Sequence, residues 1–172
     1  ENGIALIDTR CLNTHIVPEK LVRKIRSSII LMGAVLQRTG NVEVAYPGGC
    51  EIGLRPIDLH LRGLRKLGVE ITEKNGLLVG AVKEPLSCEI HLDYPSVGAT
   101  ENIMLFAVGN PGKTVIYNPA REPEIVDLQD FLNTCGFCVS GAGTGMIAIE
   151  GKKSENTDTV EYKIISDRIE AG

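Results

Sequence analysis

Apolar side chains recur at helical spacing over residues 20–38, where Leu21, Ile25, Ile29, Met32 and Leu36 share one stripe with Ser28. A 3.6-residue period sustained over that length predicts a helix with one face turned to a core. Helical patterns return over 57–67, 97–108 and 124–135. Between them lie short runs rich in Val and Ile at 42–46, 69–72, 77–82, 88–93, 114–118, 137–139 and 146–150, which predict strands. Gly40, Gly68 and Gly136 stand where a helix is expected to end on a left-handed residue. Asn75-Gly76, set between two strand-like runs, is a hairpin signal.

These elements come in a repeated order. Residues 40–82 read strand, loop, Arg55-Pro56-Ile57-Asp58, helix, strand, turn, strand. Residues 112–151 replay that order through Glu122-Pro123-Glu124-Ile125. Pro56 and Pro123, Leu64 and Leu132, and Gly68 and Gly136 stand about 67–68 residues apart. A repeat of this length indicates a duplicated unit that buries its apolar face only against a neighbour. The predicted fold class is α/β, with helices packed on repeated small sheets. The units cover about 20–82 and 97–151, residues 1–19 read as the trailing part of a preceding copy, and 167–172 opens a further element. The 172 residues are enough for one core, so 1–172 reads as a single domain.

Composition narrows the function. With 4% aromatic residues and no Trp, small aliphatic side chains must fill the core. No apolar run approaches the roughly 20 residues that a membrane helix needs. A net charge of −4 argues against nucleic acid as a partner, yet leaves room for a small anion held by a few local cations. Five Cys without secretory marks read as free thiols in a reducing compartment, which places the chain in the cytoplasm.

The segment Pro47-Gly48-Gly49-Cys50-Glu51-Ile52-Gly53-Leu54-Arg55-Pro56 carries the sharpest chemical signal. Its glycines allow close approach to a ligand, and Arg55 near Cys50 would favour the thiolate or hold a phosphate or carboxylate. A glycine-rich turn around an inert small residue is the plainer alternative. Arg23, Lys24 and Arg26 cluster on one helix, as a solvated face also would. Ser96-Val97-Gly98-Ala99-Thr100 opens a helix after a strand, an arrangement that offers backbone N–H groups to an anion or simply a Ser cap. Other strings lack their required context. Gly112-Lys113-Thr114 precedes a strand instead of a helix, Gly141–Gly145 is a hairpin turn, and Cys135-Gly136-Phe137-Cys138 ends a helix where a redox pair would begin one. His15, His60 and His91 have no metal-ligand spacing, so no metal site is expected.

Read together, five strings resemble the UDP-N-acetylglucosamine 1-carboxyvinyltransferase family of enolpyruvyl transferases. They are Arg26-Ser27-Ser28-Ile29, Pro47–Cys50 continuing through Arg55-Pro56-Ile57-Asp58-Leu59-His60, Ser96–Asn102, Ala120–Asp127 and Asp167–Gly172. Their order and spacing match over nearly the whole chain, least well at 1–19, 83–90 and 152–165. The resemblance implies an inside-out α/β barrel domain. In that fold each of two domains holds three copies of a small unit, helices inside and sheets outside. This chain would then be an incomplete fragment of a two-domain enzyme, with the second domain as its partner.

The resemblance further implies transfer of enolpyruvate from phosphoenolpyruvate to the 3-hydroxyl of UDP-N-acetylglucosamine, the first committed step of peptidoglycan synthesis, without cofactor or metal. Cys50 would be the proton donor and the site of alkylation by fosfomycin, and Arg55 would neutralise phosphate. Pro56 and Leu59 would wall the uracil ring, with Asp58 at its polar edge. Ser96, Val97 and Gly98 would face the diphosphate, while Arg26 and Glu122 would complete the substrate end. The family's Lys-Asn pair near its amino terminus, and the Asp and Arg of its opposite domain, have no counterpart here, so the chain alone is expected to be inactive. Tyr94 stands where some members carry Lys. A shikimate-pathway enolpyruvyl transferase and a non-catalytic UDP-sugar-binding paralogue are the alternatives, and the Cys-bearing loop speaks against the first.

Overall fold

A computed structural model of the chain describes residues 11–22, 26–46, 57–151 and 159–167. The chain begins with β1 (Ile16–Val17), α1 (Glu19–Val22) and a 3-10 turn (Arg26–Ile30), then α2 (Leu31–Thr39), β2 (Asn41–Ala45), α3 (Asp58–Lys66), β3 (Val69–Lys74) and β4 (Leu77–Val82). It continues through β5 (Glu89–His91), α4 (Val97–Ala107), β6 (Gly112–Tyr117), α5 (Pro123–Thr134), β7 (Cys138–Ser140) and β8 (Met146–Gly151).

The strands form two four-stranded sheets of the same order, β1-β2-β4-β3 and β5-β6-β8-β7. In each sheet the first pair is parallel and the other two pairs are antiparallel. Side chains alternate across a strand, so one face of each sheet can turn inward. Val69 and Ile71 of β3 are buried while Glu70 and Thr72 are exposed, and Ile147 and Ile149 of β8 are buried beside Ile116 of β6. The β3–β4 hairpin turns on Asn75 and Gly76 at φ 52° and 75°, the doubly left-handed geometry that matches strand twist. No helix among the described residues is long and apolar enough to cross a membrane.

The helices gather around α4, which packs on α2, α3 and α5. Its buried residues include Ala99, Ile103, Met104, Phe106 and Ala107, and also the polar Thr100 and Asn102. A helix buried on nearly every side is the expected centre of a core.

The predicted helix over 20–38 is broken. Its described residues form α1, a 3-10 turn and α2, and the change from the 3-10 turn to α2 has a physical cause. In an unbroken α-helix the N–H of Gly33 would donate to the carbonyl of Ile29. The side-chain amide of Asn102 takes both partners instead. Gly33 N–H donates to Asn102 Oδ1, and Asn102 Nδ2 donates to the Ile29 carbonyl at 3.0 Å. Position 33 must lack a side chain, because a Cβ there would lie 2.2 Å from the Asn102 carbonyl oxygen.

Gly33→Ala should therefore push α2 away from α4 and destabilise the fold by about 1–3 kcal/mol, the usual cost of overpacking. Asn102→Leu should cost a similar amount, about 1–3 kcal/mol, by leaving the Gly33 N–H buried without an acceptor. Urea unfolding followed by circular dichroism measures both. An unchanged midpoint in either variant would show that the inserted amide does not hold this junction.

Candidate functional site

Two helix starts from different parts of the chain meet at the candidate site. The first is α3, which opens at Asp58 directly after the buried Ile57. Asp58 is exposed in the first turn, where a carboxylate is favoured by the helix dipole. Leu59 is only 2% exposed, so its side chain belongs to the core and its outward offering is backbone.

The second start is α4. Ser96 adopts extended geometry, and its Oγ accepts from the Ala99 N–H at 3.4 Å. The Ser96 carbonyl accepts from the Thr100 N–H at 2.9 Å. The N–H groups of Val97 and Gly98 have no protein acceptor among the described residues. Two open backbone donors and the Ser96 hydroxyl at one helix start suit an anionic ligand.

His60 joins these two starts. It projects from the first turn of α3 and is 7% exposed. A Cβ built on Gly98 would lie 3.1 Å from His60 Cε1, so the ring packs directly on the glycine of α4. Its Nδ1 lies 3.0 Å from Asn102 Nδ2. A second tie is external: Arg62 of α3 grips both carboxylate oxygens of Asp93, at 2.5 and 3.2 Å. The hydrogen bond from Arg62 and its charge hold the Asp93 carboxyl below the usual range. The pair is exposed and screened by water, so its main effect is to anchor the loop that leads into Ser96.

The start of α5 lies on another side of α4. Glu122 precedes Pro123 in extended conformation, and its Oε2 accepts from the Arg121 N–H at 2.8 Å, which turns the carboxylate back on its own loop. The Ala120 N–H donates to buried Thr100 Oγ1 at 3.1 Å and fastens that loop to α4. A cavity of about 340 Å³ lies between the α4 and α5 starts and the 164–167 segment, lined by Val97, Glu101, Glu124, Asp127 and Asp167 among others. Burial, and then the charge of Glu124, push the Glu101 carboxyl up to about 7. Such a wall repels phosphate.

The structure thus brings Asp58 and Leu59 together with Ser96, Val97 and Gly98, through His60. Glu122 belongs to the α5 start, whose loop is tied to α4 among the described residues through Ala120 and Thr100. Cys50, Arg55 and Pro56 lie outside the described residues; Arg26 opens the 3-10 turn, and its side chain lies outside them too. Sequence reasoning passed over His60 and Asn102. The available signal was an Asn and a His on otherwise apolar helical faces. Cys138 is exposed on β7, as is Cys11 in its loop. Burial does raise the thiols of Cys88 and Cys135.

The family model described as EPSP synthase (3-phosphoshikimate 1-carboxyvinyltransferase) matches residues 1–172. UDP-N-acetylglucosamine 1-carboxyvinyltransferase 2 of Caldanaerobacter subterraneus subsp. tengcongensis is 54% identical over 167 residues, covering 97% of this chain and 40% of that protein. UDP-N-acetylglucosamine 1-carboxyvinyltransferase 1 of Staphylococcus aureus is 48% identical over 173 residues, covering 100% of this chain and 40% of that protein. The chain therefore spans about 40% of the length of these curated relatives. Among solved structures, the enolpyruvyl transferase NikO from Streptomyces tendae superposes with a TM-score of 0.68 at 23% identity, over 80% of this chain and 33% of that one. At that identity the likeness shows the fold.

Glu101 supplies a pH test of the acidic cavity. Its folded-state pKa of about 7 lies above the ordinary 4.5, so the native state keeps the proton longer than the unfolded chain does. Stability from this group is present below the ordinary value and is lost as pH rises through the folded one. Glu101→Gln removes the titration. The variant should gain thermal stability over the parent as pH rises from about 5 to about 8, and the two should converge at the acid end. Parallel profiles across that range would contradict the assignment.

Proposed function

The chain belongs to the EPSP synthase family, and we propose that it forms part of an enzyme that transfers enolpyruvate from phosphoenolpyruvate to the 3-hydroxyl of UDP-N-acetylglucosamine, releasing phosphate. Identity at about half of all positions, across nearly the whole chain, with relatives named for that nucleotide sugar supports this acceptor over shikimate 3-phosphate. The reaction would be the first committed step of peptidoglycan synthesis and would run in the cytoplasm.

The chemistry needs an acid, a cation and a fixed acceptor. The sugar hydroxyl gives its proton to a base as its oxygen attacks C2 of phosphoenolpyruvate, while C3 takes a proton from the Cys50 thiol, giving a tetrahedral phosphate-bearing intermediate. Loss of a proton from C3 and departure of phosphate then leave the enol ether. Atoms balance without an oxidant or reductant. Arg55, five residues from Cys50 in the same glycine-rich segment, neutralises the phosphate, and Arg26 supports the anionic end. The Ser96 hydroxyl and the Val97 and Gly98 N–H groups receive the diphosphate. Pro56 and the Leu59 backbone frame the uracil ring, with the Asp58 carboxylate at its polar edge, while Glu122 borders the substrate end from the α5 start. The remaining catalytic groups come from outside these 172 residues, consistent with the chain's share of its relatives' length.

In the full-length enzyme, phosphate release should require both substrates, and Cys50→Ala should lower kcat about hundredfold or more. Fosfomycin with UDP-N-acetylglucosamine should label the peptide from Pro47 to Arg55 and spare the exposed Cys11 and Cys138. Turnover with shikimate 3-phosphate in place of the nucleotide sugar, or a Cys50→Ala enzyme of undiminished rate, would overturn the proposal.

A further inference from the structure

The Asn102 amide has one acceptor oxygen and two N–H donors. The oxygen accepts from the Gly33 N–H, while Nδ2 donates to the Ile29 carbonyl and faces His60 Nδ1, each at 3.0 Å. With Nδ2 as donor, His60 Nδ1 is the acceptor and the ring proton sits on Nε2. The imidazole is thereby fixed in one tautomer and one orientation. A buried polar network with every amide position used is rigid and specifies a single arrangement.

What this network holds is the spacing of three segments. The His60 ring stands on Gly98, and Ile30 Cγ1 approaches the same point, 3.8 Å from a Cβ built there. The 3-10 turn that starts at Arg26, the first turn of α3 and the first turn of α4 thus converge on one glycine. Asp58 and Leu59 lie immediately before His60, and Val97 immediately before Gly98. The thickness of one imidazole sets the gap between the α3 backbone and the open N–H groups of α4.

We propose that His60, oriented by Asn102, is a positioning residue for the nucleotide-sugar end of the site. This rests on the reading of Ser96, Val97 and Gly98 as the diphosphate seat. His60 is buried, so it acts through the helix starts it separates. Loss of the ring should let the α4 start settle towards α3 and misplace the Val97 and Gly98 donors. Nucleotide binding should suffer while the phosphoenolpyruvate chemistry, centred on Cys50, should not.

The test uses the full-length enzyme, with UDP-N-acetylglucosamine titrated first into the parent protein. His60→Leu keeps much of the volume and removes the acceptor. It should raise both the nucleotide-sugar Kd and its KM about tenfold, with kcat and the phosphoenolpyruvate KM changed less than about twofold. His60→Asn, which can still accept from Asn102, should recover part of the loss. Gly98→Ala gives an independent reading should His60→Leu fail to fold. Its Cβ presses on the ring, so it should raise the nucleotide-sugar KM, and combining it with His60→Asn should raise that KM by less than the product of the two single effects. Nucleotide KM values near the parent's in the folded variants would overturn the inference, as would a uniform fall of kcat and both affinities in step with lost thermal stability. A parent enzyme that binds no UDP-sugar would defeat the functional reading and this inference with it, whereas a binding parent with indifferent variants would defeat the inference alone.

Discussion

The side-chain amide of Asn102 stands where a backbone hydrogen bond of another helix would be, and the architecture of the helical layer follows from that substitution. Gly33 and Ile29 give up their mutual bond and both pair with the amide. The helix can then change from 3-10 to α winding without leaving a buried polar group unpaired. Because the amide also reaches His60, α2, α3 and α4 are held in one register by a single side chain. Satisfying a buried amide completely makes it stabilising, whereas leaving any of its positions open would cost free energy.

Thr100, nearer the start of the same helix, has the corresponding role towards α5. Its hydroxyl holds the Ala120 N–H, so the α5 start is tied to the same central helix. Electrostatics then divides the surroundings of α4. Glu101, Glu124, Asp127 and Asp167 make one wall acidic, and burial there pushes Glu101 up to about 7. Asp58, the buried His60 and the open donors of Val97 and Gly98 stand together at the α3 and α4 starts.

Most of the fold was legible from local rules. The helices over 57–67, 97–108 and 124–135 appear as α3, α4 and α5 within two residues at each end. Asn75-Gly76 turns as expected, and Gly40 closes α2 at φ 75°. The helix over 20–38 was misread because Ser28, Ile29, Met32 and Leu36 of its stripe are buried as expected while the break before α2 is imposed from Asn102, 69 residues beyond Gly33. Periodicity cannot see a partner at that distance. The two-residue β1 was too short to show alternation. For the site, the Ser96-Val97-Gly98 turn was visible as a helix start, and Asp58 as the opening of α3. His60 was dismissed for lacking metal-ligand spacing, since its role depends on Gly98 and Asn102, which only the folded chain brings beside it. Gly98 was read as one of several backbone N–H donors, and the ring packed on it gives a reason for its small size.

In the proposed site, the α3 and α4 starts receive one ligand as a unit. Titrating ¹⁵N-labelled full-length protein with UDP-N-acetylglucosamine examines this directly. The amides of Asp58 and Leu59 and those of Val97 and Gly98 should shift together and fit one dissociation constant. Shifts confined to one of the two helix starts, or centred instead on Glu101, Glu124 and Asp127, would contradict it.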